Sequence, residues 1–150
     1  MQYTDLEQQR KYVVEKLQEQ PDPEHLWECI LAFQGYEFRT ISGLPFTYQL
    51  KKGKNGNLTK ELWIDRRKNS KSLAWSSVLK AFEKTEGRPV VVRPKALGDI
   101  RGVSYLYGIF YRFGLIEMPE KSERCNLLLY YPTVEYIRLI KRCYRKWKYW

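Results

Sequence analysis

Scarcity is the first signal in this sequence. Histidine occurs once, and cysteine three times, at Cys29, Cys125 and Cys143, with no two of them close together. An odd and scattered set argues against a disulfide framework and against a four-ligand zinc site. His25 and Cys29 fall four residues apart on one helix face, but two ligands make half a tetrahedral site and no second pair follows. Cys29 reads instead as a small hydrophobe beside an apolar stripe. No apolar run approaches the roughly 18 residues of a membrane span. The opening "MQYTDLEQQRKYVVEK" lacks the basic-then-apolar order of a signal peptide, so a cytoplasmic location is expected.

Catalytic motifs are missing as well. There is no Gly-rich phosphate loop, no nucleophile elbow and no Ser, His and Asp set resembling a triad. A metal-dependent nuclease needs clustered carboxylates, and no Glu-x-Lys or Asp-x-Lys triplet occurs. The carboxylates nearest the main basic run are Glu61 and Asp65, four apart on an expected strand, facing one side with Trp63 between them. The expectation is a protein that is not an enzyme and takes no cofactor or metal.

What the chain does have is positive charge, unevenly spread. Among 150 residues the formal net charge is +10. Residues 1–50 hold 4 Lys and Arg against 8 Asp and Glu, residues 51–100 hold 13 against 5, and residues 101–150 hold 10 against 4. Clustered cations attract polyanions, which makes nucleic acid, an anionic membrane surface or an acidic protein surface the candidate partners. An apolar fraction of 43% with 15% aromatic residues argues for a folded chain. The length suits one domain, with residues 1–36 as an acidic helical part and 37–150 as a basic α+β body.

Periodicity places the elements. Thr4 and Glu7 have capping-box spacing, and Leu6, Val13, Val14 and Leu17 follow at helical intervals, which predicts a helix to about Gln20. Asp22 and Pro23 start a second helix carrying Trp27, Ile30 and Leu31 on one face. From Phe38 to Asp65 the period changes to two, and Asn55-Gly56 supplies a turn, so an antiparallel β-hairpin with a basic tip at Lys51, Lys52 and Lys54 is expected. Ser72 is positioned to cap a third helix striped by Trp75, Val78, Leu79 and Phe82, with Ser76, Ser77, Lys80 and Lys84 on its other face. "SYLYGIFYRFG" predicts a fourth helix, "NLLLYY" a strand, and Pro132 opens a last helix. The class is α+β, and a winged-helix-like arrangement is compatible with the element order.

The cations concentrate at three places. Arg66, Arg67, Lys68 and Lys71 lie between the second hairpin strand and the third helix, where side-chain charge and exposed helix amides would converge on a phosphate. Lys51, Lys52 and Lys54 add charge from the hairpin tip, and Lys80 from the helix. Arg142, Arg145 and Lys146, from the last helix, would extend the track. A single cation on a turn is ordinarily just solvated, but here the excess is of one sign and locally uncompensated. About six phosphate contacts on duplex DNA imply a log–log salt slope near −5.

Three segments resemble a group of small proteins, most of them without an assigned role, carried on phages and other mobile elements of Gram-positive bacteria. They are "GLPFTYQL" (43–50), "ELWIDRRKNSKSLAWSSVLKAF" (61–82) and "GVSYLYGIFYRFGLI" (102–116). The three segments span roughly the middle half of the chain, and the resemblance carries no catalytic residues. It implies either a nucleic-acid-binding protein, for DNA or RNA, or an anti-defence inhibitor of the anti-CRISPR or anti-restriction type. Such an inhibitor would bind a nucleic-acid-processing host protein such as a CRISPR effector.

Overall fold

The computed structural model describes residues 2–65 and 71–119. Helix α1 (Gln2–Glu19) is followed after a short break by α2 (Pro23–Ala32). The Asp22 carboxylate accepts a hydrogen bond from the His25 amide at 2.8 Å, and Pro23, with no N–H to leave unpaired, takes the first helical position. That bond is the chief reason the Asp22 carboxyl sits below its ordinary range. The two helices turn Val13, Leu17, Leu26, Cys29 and Ile30 inward.

The sheet is an antiparallel meander of β1 (Phe38–Arg39), β2 (Pro45–Lys52), β3 (Leu58–Asp65) and β4 (Lys71–Ala74), paired in chain order. Tyr48 pairs with Ile64, Leu50 with Leu62, and Leu62 with Leu73, so these side chains share the buried face with Phe38 and Phe46. The expected hairpin is therefore the centre of a four-stranded sheet in a single α+β domain. Its loop closes as Gly53 N–H donates to the Asn57 carbonyl at 2.8 Å, with Gly56 at φ +75°, the left-handed conformation that glycine adopts without steric cost.

One expectation is corrected here. Ser72 does not cap a helix: it lies in β4 opposite Trp63, and α3 (Trp75–Glu83) starts after Ala74 with no side-chain cap. Pairing with β3 satisfies the backbone of this stretch and buries Leu73 on Leu62, a gain that a lone serine cap does not match. Within α3, Val78 and Ala81 are buried, and the ring of Phe82 meets Phe110 edge-on at 6.4 Å.

Phe110 belongs to α4 (Val103–Arg112), the central helix, in which every residue from Tyr105 to Phe110 is buried. Each large apolar side chain so enclosed stabilises the fold by roughly 1.5–3 kcal/mol. Gly108 lets α4 approach β1: a Cβ there would collide with the Arg39 carbonyl oxygen. The Tyr48 hydroxyl donates to the Ile30 carbonyl at 2.6 Å and joins the sheet to α2. Gln18 Nε2 donates to the Phe113 carbonyl at 3.0 Å and joins α1 to the end of α4. Between α3 and α4, a 3-10 turn (Pro94–Leu97) follows an extended segment in which Val90 bridges to Glu117. The expected "NLLLYY" strand and last helix lie outside the described residues.

Candidate nucleic-acid interface

Helices cover one face of the sheet, and the other carries Thr47, Gln49 and Lys51 from β2, Glu61, Trp63 and Asp65 from β3, and Ser72 and Ala74 from β4. Register brings Gln49 and Ser72 to either side of Trp63, and Thr47 opposite Asp65. Among the described residues no element covers this face: Gln49, Lys51, Asp65 and Ala74 are exposed, and Trp63 is half-buried. The Lys51 ammonium lies 3.6 Å from the centre of the Trp63 ring, within the range of a cation–π contact. The Lys51 carbonyl also accepts the Thr59 hydroxyl at 2.9 Å, fixing the backbone just below the tip.

Lys52 and Lys54 lie beyond Lys51, both exposed. Neither has a carboxylate within ion-pair distance among the described residues, where the one close pair is His25 Nδ1 with Asp22 Oδ1 at 2.8 Å. Other cations are already engaged. Arg10 donates to the Ala32 carbonyl at 3.0 Å, Arg112 donates to the Tyr36 hydroxyl at 2.9 Å, and both guanidinium groups lie over the rings of Phe33 and Tyr36. These arginines tie α1 and α4 to the C-terminal end of α2, where positive charge complements the free carbonyls. Lys60 sits over Trp27 and Trp75, whose rings meet edge-on at 5.1 Å.

Among the described residues, the basic residues expected from the sequence fall at separate places. Lys51, Lys52 and Lys54 gather at the hairpin tip, next to the start of β3. Lys71 opens β4 and pairs with Ile64 at the far end of β3. With seven residue steps from Leu58 to Asp65, the two ends of β3 are about 23 Å apart. Because β4 intervenes, Lys71 stands four residues ahead of the first residue of α3, and the basic run leads into a strand rather than a helix N-terminus. Lys80 is exposed on the helical layer, away from the open sheet face. Arg66, Arg67, Lys68, Arg142, Arg145 and Lys146 lie outside the described residues.

The feature that a reading by charge passes over is Trp63. Its signal was available in the alternation of β3, which puts it opposite in phase to Leu62 and Ile64 and between two carboxylates on the solvent side. Among the described residues no three His, Cys, Asp or Glu side chains are grouped so as to hold an ion. Cys29 is buried, its Sγ 3.2 Å from the Val13 carbonyl, and burial, with the charge of Glu28 adding to it, pushes its thiol up to about 12. No helix among the described residues is long and apolar enough to cross a membrane. A groove of about 420 Å³ between α1 and α2 is lined by Leu6, Val13 and Leu31 with Arg10 and Glu28. No protein-family model, curated protein or solved structure matches this chain.

Proposed function

We propose that the chain is a non-enzymatic nucleic-acid-binding protein of the phage or mobile-element kind, which holds phosphates at the tip of its β2–β3 hairpin. The observation that carries this reading is the exposure of Lys52 and Lys54 without a carboxylate partner among the described residues. They stand on a turn whose backbone is fixed by its own hydrogen bonds. Ammonium groups already neutralised by neighbours gain little from a phosphate, whereas these release the counterions of the polyanion at little internal cost. The K52E/K54E variant is expected to lose most of its affinity for nucleic acid and to melt as the parent does. Unchanged affinity with a normal melt would remove the hairpin tip from the interface. Charge reversal of Arg66, Arg67 and Lys68 in a parallel variant asks whether binding also uses the other end of β3.

A second reading rests on the acidic end of the molecule. Leu6 and Tyr12 are 42% and 59% exposed on α1, and Leu6 borders the α1–α2 groove. An anti-defence inhibitor would use that surface to bind a nucleic-acid-processing host protein, such as a CRISPR effector. A protein partner retained from a nuclease-treated host lysate, and lost in a Leu6→Asp variant, supports this second reading.

A further inference from the structure

Resting on the nucleic-acid reading above, we infer that the ligand is single-stranded, with one base stacked on Trp63 and the flanking phosphates held by Lys51, Lys52 and Lys54. The open face is mostly polar, and among its described side chains Trp63 is the one aromatic ring. A base inside a duplex has both faces covered by its neighbours, so an isolated ring on a sheet can be used only by an unstacked base.

The contact between Lys51 and Trp63 fits this role. In the free protein the ammonium occupies the ring face, 3.6 Å from its centre. A phosphate beside the tip draws the ammonium away and uncovers the ring, and base stacking then replaces a weaker exposed cation–π contact. Gln49 and Ser72, on either side of Trp63, offer hydrogen-bonding groups to the edge of a base resting there. Glu61, between Trp63 and the tip, and Asp65, on the far side of Trp63, share this face and repel phosphate, which leaves the phosphates to the lysines beyond Glu61. The backbone runs on the tip side of Trp63, where the lysines are, and the base points inward from it. The face itself carries Lys51 against Glu61 and Asp65, so the positive charge that meets the phosphates is that of the hairpin tip.

The test uses the full chain with fluorescently labelled 12-mers of thymidylate and of uridylate, and a 12-base-pair duplex, read by anisotropy. Four proteins are compared: the parent, Trp63→Leu, Trp63→Phe and the K52Q/K54Q double variant. The parent is expected to bind at least one single strand more tightly than the duplex. Trp63→Leu is expected to lose about tenfold of single-strand affinity, and Trp63→Phe to keep most of it because the ring is retained. Duplex affinity serves as the folding control and is expected not to change in either Trp63 variant. K52Q/K54Q is expected to weaken both ligands. If Trp63→Leu binds single strands as the parent does while K52Q/K54Q is weakened, the stacking inference is overturned and the nucleic-acid reading stands. If K52Q/K54Q also binds like the parent, or the parent binds none of the three ligands, both fall.

Discussion

The two faces of the sheet are built from the same strands and share little else. Phe46, Tyr48, Leu50, Leu62, Ile64 and Leu73 meet the helices, while their immediate neighbours Thr47, Gln49, Lys51, Trp63, Asp65 and Ser72 lie on the side that no described element covers. A period of two assigns each residue to one face and leaves it no say on the other. The buried face holds the fold together, and among the described residues nothing packs over the other face or the hairpin tip. Substitutions should divide accordingly, with stability responding on one side and affinity on the other.

The sharpest way to break that division is to empty the buried side. Phe38 is 2% exposed and stacks on Phe46 and Tyr48 at 5.6 and 5.7 Å. Phe38→Ala is expected to cost about 3–5 kcal/mol in urea denaturation. A loss below about 1 kcal/mol would mean that this face is not the core. Gly108→Ala tests the same side by overfilling it. The Cβ would meet the Arg39 carbonyl oxygen, and forcing α4 off β1 is expected to cost about 1–3 kcal/mol.

Across the sheet, Lys52→Gln with Lys54→Gln should shift stability by no more than about 0.5 kcal/mol, because these side chains are exposed and hold nothing in place. A larger loss would show that the tip is a structural element. The smallest effect near neutral pH belongs to Cys29. Its folded pKa of about 12 lies above the value of an exposed thiol, so the folded state keeps a proton that the unfolded state gives up. Its contribution is therefore complete below about pH 9 and lost as pH rises toward 12. In a C125S/C143S background, Cys29 should resist thiol reagents at pH 8 until the chain is unfolded, and prompt native labelling would contradict its burial.

Legibility from sequence follows the same physical lines. Local signals were sufficient for α2, through Asp22 and Pro23, for the hairpin, through strict alternation and Asn55-Gly56, and for α4, whose apolar residues run between Gly102 and Gly114. They were not sufficient for β1 and β4. A two-residue strand has no period to detect, and Lys71–Ala74 is held as a strand by its pairing with β3, a contact absent from its own sequence. The hairpin lysines were legible as a cluster because turn residues lie close together whatever the fold. Their separation from Lys71 was not, since it depends on how β3 and β4 pair. Trp63 was legible as a solvent-side residue, but its contact with Lys51 required the register of β2 against β3.

The salt dependence of binding probes the hairpin tip most directly. The parent and a K51Q/K52Q/K54Q variant would be titrated with salt against a 12-mer single strand. If each tip lysine neutralises one phosphate, the log–log slope should become shallower by about 2 in the variant. Binding that keeps the parent slope would show that the phosphates are held elsewhere on the molecule.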